Sequence, residues 1–131
     1  MTHEFPVRVY YEDTDLAGIV YYANYLKFIE RGRSEWVRAC GIDQMELRAR
    51  HDIVFAVRRV EADYLRPALF GDDLTVTTGL SALGGARIEL DQAVLRGPEL
   101  LFQARVTLVC LTARGQATRT PAEIRALLSP G

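Results

Sequence analysis

Metal-binding and cross-linking residues are scarce in this chain, which has two histidines and two cysteines among 131 residues. Because so few of these side chains are available, and none at usable spacing, no metal site is predicted. Cys40 and Cys110 stand alone in apolar surroundings, and we expect buried free thiols rather than a disulfide. His3 and His51 are expected at the surface.

Net charge is also nearly absent, because 16 basic residues oppose 17 acidic ones. That balance excludes the electrostatic footprint of a general nucleic-acid or membrane-surface binder. The chain has no apolar run of about 18 residues, and its first residues lack the basic-then-apolar order of a signal peptide. We therefore expect a cytoplasmic protein with no membrane span and no nucleic-acid partner.

A long helix is predicted over residues 23–39, where apolar side chains recur at steps of three and four residues. Asn24 is a candidate N-cap, and Gly41 is placed to end the helix in a left-handed conformation. A second, shorter helix is predicted over residues 44–50.

Strands are predicted over 7–11 and 53–65, which are rich in β-branched and aromatic residues. Three more are predicted over 74–82, 87–94 and 102–110, where apolar and polar residues alternate. Gly84-Gly85 and Gly97-Pro98 separate the last three as turns, which gives an antiparallel meander. A terminal helix is predicted over 121–128, with Thr120 as its N-cap and a proline in its first position.

The whole chain, residues 1–131, is predicted to form one domain, since 49% hydrophobic and 25% charged residues are near the averages of globular proteins. One long helix facing an antiparallel sheet is an α+β architecture. A single helix leaves the other face or an edge of the sheet uncovered. We therefore expect a homodimer or a dimer of dimers.

The acidic loop before the long helix is the most informative segment. Its carboxylates precede the positive end of the helix dipole, where backbone N–H groups lack partners within the helix. Asp15 could act on a water molecule or attack directly, while those N–H groups bind an oxygen that gains negative charge. The alternative from spacing alone is that Asp13 and Asp15 only cap the helix and satisfy a turn.

Several segments together resemble the hotdog-fold thioesterases of the 4-hydroxybenzoyl-CoA thioesterase and YbgC-like type. The resemblance begins with Val7-Arg8-Val9-Tyr10-Tyr11-Glu12-Asp13-Thr14-Asp15, Gly18-Ile19-Val20-Tyr21 and Asn24-Tyr25. It continues with Phe28-Ile29-Glu30-Arg31-Gly32-Arg33, Phe55-Ala56-Val57-Arg58-Arg59, Asp63-Tyr64-Leu65-Arg66-Pro67-Ala68 and Asp72-Asp73-Leu74. The similarity therefore covers nearly the whole chain.

The resemblance implies a fold in which a curved antiparallel sheet wraps the long helix and two protomers join their sheets edge to edge. It also implies hydrolysis of short-chain or aromatic acyl thioesters to a free acid and a thiol. Coenzyme A, or an acyl carrier protein, would be part of the substrate, so no separate cofactor is expected. Two alternatives stay open: a non-catalytic acyl-thioester or partner-binding module, and a hotdog dehydratase or hydratase. The latter typically needs a histidine, which neither the Asp15 loop nor the long helix contains.

Matched position by position, the family's catalytic carboxylate falls on Asp15, as nucleophile or general base. The backbone N–H of Tyr22 corresponds to the group that polarises the thioester carbonyl. Tyr22 stands where YbgC-like members usually carry histidine, so that imidazole is absent here. Glu30 matches a second, supporting carboxylate; its alternative role is an ion pair with Arg31 or Arg33.

Arginine outnumbers lysine fifteen to one, and the resemblance places three arginines near the coenzyme. Arg58, Arg59 and Arg87 could supply charge-assisted contacts to the phosphates of coenzyme A. For any one of them, the alternative is a solvated surface arginine. Relatives often have a small or hydroxyl residue where this chain has Arg87.

Overall fold

The computed structural model describes residues 2–129. Within that span, three α-helices and six strands follow one another. They are β1 (Thr2–Arg8), α1 (Asn24–Ala39), α2 (Gln44–His51), β2 (Val54–Tyr64), β3 (Asp73–Leu83), β4 (Arg87–Arg96), β5 (Glu99–Leu111), β6 (Ala117–Thr118) and α3 (Ala122–Leu128). The α+β class and the predicted strand segments after residue 50 are confirmed.

All six strands belong to one antiparallel sheet in the order β1-β3-β4-β5-β2, and the short β6 pairs with the end of β5. Strands β3, β4 and β5 form the predicted meander, while β2 crosses to the far edge. Strand β3 alternates buried and less buried residues, because one of its faces meets the core. On β2, every residue from Val57 to Tyr64 is exposed. The sheet therefore has a long, open edge at β2.

Helix α1 packs across β1, β3 and β4 and supplies much of the core. Phe28 and Ile29 on its inner face are fully buried, as are Val76 and Phe102 on the sheet. A side chain at Gly32 would place its Cβ 2.5 Å from Val76 Cγ1. The helix can therefore lie this close to β3 because position 32 carries no side chain.

The first strand lies earlier in the chain than predicted. It runs from Thr2 to Arg8 rather than over 7–11, and Tyr11–Asp13 form a short 3-10 turn. The turn forms because Asp13 Oδ2 accepts the N–H of Tyr10 at 2.8 Å while the Asp13 N–H donates to the Tyr10 carbonyl at 3.0 Å. The aspartate side chain thus ends the strand early.

Two predicted helix caps are wrong. Asn24 is the first residue of α1, preceded by Ala23 at the N-cap, and its amide donates to the Asp13 carbonyl at 2.9 Å. Thr120 is buried with its hydroxyl 3.4 Å from Cys110 Sγ, and Pro121 holds the N-cap of α3. In both cases the side chain that local spacing assigned to a cap contacts a residue distant in the chain instead.

The cysteines were expected to be buried and the histidines exposed, and one residue of each type differs. Cys110 is buried and free, but Cys40 is only half-buried. His51 is exposed and lies 2.9 Å from a Glu123 oxygen, whereas His3 is half-buried and its Nδ1 has no hydrogen-bond partner among residues 2–129. Among residues 2–129, no group of three or more such side chains and carboxylates is arranged to hold a metal ion. No helix in the same span is long and apolar enough to cross a bilayer.

Candidate active site

Residues 14–20 form a tight hairpin that presents Asp15. Thr14 and Val20 face each other in an antiparallel bridge, and the Asp15 N–H donates to the Ile19 carbonyl at 2.9 Å. Gly18 completes the turn at φ +80°, a backbone conformation that favours glycine. The sequence therefore fixes Asp15 at the start of a closed turn.

The hairpin is also tied to the body of the protein. Ile19 bridges to Leu69, and the Val20 N–H donates to the Ala68 carbonyl at 2.9 Å. The Asp13 carbonyl accepts both the Tyr21 N–H and the Asn24 side-chain amide, each at 2.9 Å. These bonds attach the hairpin directly to the first residues of α1.

The two aspartates of the loop have different surroundings. Asp13 uses Oδ2 to close the 3-10 turn. Asp15 is exposed, and its Oδ1 accepts the Ala17 N–H at 2.9 Å; within residues 2–129 its other oxygen accepts no hydrogen bond. Neither carboxylate accepts an N–H of α1, so the helix-capping alternative is wrong for both, although both do satisfy turns.

The start of α1 has unused donors. Ala23 at the N-cap provides no side-chain acceptor, and the N–H groups of Tyr22 and Ala23 make no hydrogen bond within the described residues. These groups lie at the positive end of the α1 dipole. Together they form a donor pair able to bind an oxygen that gains negative charge.

Aromatic rings surround this donor pair. Tyr64, near the end of β2, packs edge-on against Tyr22, Tyr25 and Phe102, with ring centroids 6.1, 5.5 and 5.0 Å away. Its hydroxyl donates to the Tyr22 carbonyl at 3.1 Å. Desolvation against these rings raises the pKa of Tyr64. Sequence reasoning gave Tyr64 no role, because its partner lies 42 residues away.

Glu30 and Arg33 lie farther along α1, and both line a cavity of about 210 Å³ at the start of β2. Glu30 is exposed and accepts the Ser34 hydroxyl at 3.0 Å. It pairs with neither Arg31 nor Arg33 within residues 2–129, so the ion-pair alternative for Glu30 is wrong. Arg33 donates instead to Gln92 Oε1 at 3.0 Å, and desolvation lowers the pKa of its guanidinium.

The three candidate coenzyme arginines lie away from the donor pair. Arg58 and Arg59 are exposed at an irregularity in β2, and Arg59 pairs with Glu61 at 3.4 Å. Arg87 begins β4 and lies opposite Val109, seven residues along β5 from the Phe102 that packs on Tyr64. At the rise of a strand, seven residues correspond to about 24 Å. Arg87 therefore lies far from the Tyr64 end of the sheet, and Arg59 lies five residues, or about 17 Å, from Tyr64 along β2.

Two further arginines lie at the β3–β4 hairpin beside Arg87. The Arg119 guanidinium lies against Gly85, where a side chain would collide with it at 2.8 Å. Arg125 donates to the Gly84 carbonyl. Neither Arg119 nor Arg125 pairs with a carboxylate within residues 2–129. Sequence reasoning missed this cluster because the residues come from separate parts of the chain, although the two adjacent glycines marked the turn.

Comparison with known proteins places the chain in a family. Residues 9–128 match the model of the thioesterase-like superfamily. The acyl-CoA thioesterase YbgC of Haemophilus influenzae is 38% identical over 93% of this chain and 90% of that protein. The chain belongs to the thioesterase-like superfamily and, within it, to the YbgC-like family.

Solved structures agree with this placement. A probable thioesterase from Bartonella henselae is 39% identical and covers 92% of this chain and 100% of its own, with a TM-score of 0.89. A 4-hydroxybenzoyl-CoA thioesterase bound to 4-hydroxybenzoyl-CoA is 21% identical over 98% of this chain and 99% of its own, with a TM-score of 0.90. At that identity the second match establishes the fold alone. The predicted hotdog fold is confirmed.

Proposed function

We propose that the protein is an acyl-CoA thioesterase that hydrolyses short-chain or aromatic acyl thioesters to a free acid and a thiol. The proposal is carried by the fixed connection between Asp15 and the helix start, since within residues 2–129 one oxygen of Asp15 and the N–H groups of Tyr22 and Ala23 have no partner. The Asp13 carbonyl makes that connection, since it accepts hydrogen bonds from both Tyr21 and Asn24. The YbgC relatives support the reaction class.

In the proposed reaction, the thioester oxygen accepts the N–H of Tyr22 at the start of α1. Asp15 either removes a proton from a water molecule that adds to the carbonyl carbon or adds to that carbon itself. The C–S bond then breaks, and the sulfur leaves as a thiol, which takes its proton from Asp15 in the first route and from solvent water in the second. In the second route, water hydrolyses the mixed anhydride formed on Asp15. A backbone donor serves in either route without the imidazole that Tyr22 replaces.

We further propose that two protomers pair along β2. This strand bonds to β5 on one side only, and its exposed residues include Val57 and Val60. A long, exposed, valine-bearing edge strand invites pairing with another strand. A second copy of this chain is the occupant proposed, because a twofold axis lets β2 pair with itself antiparallel.

Antiparallel pairing also brings arginines of one protomer towards the active site of the other. It reverses the direction of the partner's strand, so the partner's Arg58 and the partner's Arg59 move towards the Tyr64 end of this protomer. Arg119 and Arg125, which contact Gly85 and Gly84, lie at the same end of the sheet as Arg87. In this arrangement, one protomer supplies Asp15 and Tyr22 while the other supplies cations for the phosphates of coenzyme A.

Glu30 keeps a supporting role in this proposal. It lies six residues beyond Asn24, or about 9 Å along the helix axis. At that distance it is placed to contact the acyl group or a water molecule beyond the reacting carbon. The cavity beside it, lined by Phe55, Val57 and Leu108, offers apolar surface for an acyl chain or ring.

The test of function is thiol release from a panel of thioesters. The panel contains acetyl-, butyryl-, octanoyl-, benzoyl- and 4-hydroxybenzoyl-CoA, together with an acyl carrier protein thioester. We expect hydrolysis of at least one short-chain or aromatic substrate. Binding of these thioesters without release of thiol would instead establish an acyl-thioester binding module.

The test of assembly is sedimentation equilibrium at micromolar concentration. We expect the mass of two or four protomers. A mass equal to one protomer would overturn the proposed pairing along β2 and the contribution of the partner's arginines, while leaving the roles of Asp15 and Tyr22 to be judged by turnover.

A further inference from the structure

The peptide group between Tyr22 and Ala23 is held in an unusual way. Its carbonyl oxygen accepts no backbone N–H within residues 2–129, although it immediately precedes α1. Its N–H, which belongs to Ala23, has no acceptor in the same span. The hydroxyl of Tyr64, at 3.1 Å from the carbonyl oxygen, is therefore the one hydrogen bond that this peptide makes among the described residues.

The ring of Tyr64 is well placed to hold that hydroxyl. Tyr64 lies opposite Phe102 in the β2–β5 register, so it points to the same face of the sheet as that buried ring. Contacts with Tyr25 and Phe102 limit its rotation. An unperturbed tyrosine titrates at about 10, so the Tyr64 hydroxyl is protonated and a donor at neutral pH, and partial desolvation raises its pKa further.

We propose that Tyr64 is a positioning residue that orients the Tyr22–Ala23 peptide, so that the N–H of Ala23 faces the thioester oxygen beside the N–H of Tyr22. This inference rests on the proposed thioesterase function. A hydrogen bond to a peptide carbonyl also strengthens the donor on the same amide, by polarisation along the chain of bonds. Tyr64 therefore acts through the backbone and need not touch the substrate.

The test compares Tyr64→Phe with Tyr11→Phe. The first substitution keeps the packed ring and removes only the hydroxyl. The second removes an exposed hydroxyl that makes no hydrogen bond within residues 2–129. For Tyr64→Phe we expect kcat to fall about tenfold, less than the loss of a whole oxyanion donor, with KM and the melting temperature unchanged. Tyr11→Phe should retain the parental kcat.

A spectroscopic measurement separates positioning from a loss of folded protein. Benzoyl-CoA is added to Asp15→Asn, in which we expect slow hydrolysis, and the thioester carbonyl stretch is recorded by infrared difference spectroscopy. Donation from the helix start should lower this frequency relative to free benzoyl-CoA. In Asp15→Asn combined with Tyr64→Phe, the shift should be smaller.

The outcomes distinguish this inference from the function on which it rests. Parental kcat in Tyr64→Phe, or a carbonyl shift that does not depend on Tyr64, would overturn the positioning role while leaving the thioesterase proposal in place. No hydrolysis of any substrate by the parental protein would overturn the proposed function itself.

Discussion

The two ends of α1 are built in opposite ways. At the C-terminal end, Gly41 at φ +90° lets its N–H reach the Arg38 carbonyl at 2.9 Å, and the Ile42 N–H donates to Val37 at 3.3 Å. Ile42 is then buried. At the N-terminal end, no side chain caps the helix, and the N–H groups of Tyr22 and Ala23 are unused within the described residues.

This difference separates stability from function along one helix. A missing N-cap usually costs about 1 kcal/mol of stability. The chain tolerates that cost where free donors and an exposed carboxylate are useful. It closes the other end with a left-handed glycine and an apolar contact, which is an efficient way to satisfy helix carbonyls. Changes at the N-terminal end should therefore lower turnover, and changes at the C-terminal end should lower stability.

The largest effect is expected at Asp15. Asp15→Asn keeps the size of the side chain and an oxygen for the Ala17 N–H, but removes the anion needed for attack or for taking a proton. We expect kcat to fall by at least about a hundredfold, or about 2.7 kcal/mol in activation free energy. The melting temperature should change little.

Asp13→Asn is the matched control for that prediction. Its oxygen can still accept the N–H of Tyr10, so the 3-10 turn survives. Steady-state hydrolysis and melting curves of both variants decide the result. Near-parental turnover by Asp15→Asn would leave Asp15 with only its turn bond, and equal losses in both variants would indicate a shared structural effect.

A smaller effect is expected where the hairpin joins the helix. Asn24→Leu keeps the approximate volume but removes the amide that donates to the Asp13 carbonyl. The Tyr21 N–H still holds that carbonyl, so the hairpin should loosen without detaching. We expect kcat/KM to fall about tenfold, since loss of positioning by about 1 Å reduces the advantage of proximity.

Gln103→Leu provides a comparison for Asn24→Leu, because it removes an exposed amide whose hydrogen bond to Asp63 is long, at 3.4 Å. Both variants are assayed for hydrolysis and for thermal unfolding. If the two variants keep equal activity, the link between Asn24 and Asp13 does not position Asp15, and the N-terminal end of α1 is less specialised than proposed.

The general frame of this site could be predicted from the sequence, but its connections could not. Periodicity located α1 to within one residue and strands β3 to β5 to within a few, because one face of each is apolar, whereas β2 was located by its content of valine and aromatic residues. Gly41 was predicted correctly because a left-handed residue after a helix is a local requirement. Asn24 and Thr120 were assigned wrong roles because their partners, Asp13 and Cys110, are set by the tertiary fold.

The aromatic and cationic parts of the site show the same limit. Tyr64 meets Tyr22 only because β2 crosses to the edge beside β5, and this crossing leaves no local signal. The cluster around Gly84 and Gly85 joins arginines from β4, the segment after β6, and α3. Spacing along the chain can identify such residues only after the topology is known.

At the C-terminal end of α1, the effect should appear in stability alone. Gly41→Ala puts a side chain on a residue at φ +90°, while the nearest atom to its new Cβ is Leu127 Cδ2, at 4.0 Å. The strain is therefore in the backbone and should cost about 1 kcal/mol. We expect a melting temperature lower by a few degrees and unchanged kcat for the folded fraction, measured by calorimetry and by initial rates.

Gly84→Ala is the stability control for Gly41→Ala. Gly84 has no positive φ, and its new Cβ would meet only Arg87 backbone atoms at ordinary distances of 3.7 Å or more. Its melting temperature should stay close to the parental value. A loss of kcat in Gly41→Ala at temperatures where it is fully folded would mean that the two ends of α1 are coupled. Turnover would then depend on the C-terminal end of the helix as well as on the N-terminal end.

The smallest effect is expected at Glu30, which tests how far the catalytic end of α1 extends. Glu30→Gln keeps an oxygen for the Ser34 hydroxyl and removes only the charge, so stability should not change. Because Glu30 lies about 9 Å along the axis from Asn24, it is too far to share the reacting carbon with Asp15. We expect kcat/KM to fall by only a few fold. Glu35→Gln, whose side chain pairs with the exposed Arg38 at 3.8 Å, should retain parental rates. A loss in Glu30→Gln as large as that in Asp15→Asn would place the chemistry deeper along the helix, whereas identical rates in the two glutamate variants would confine it to the first turn and the hairpin.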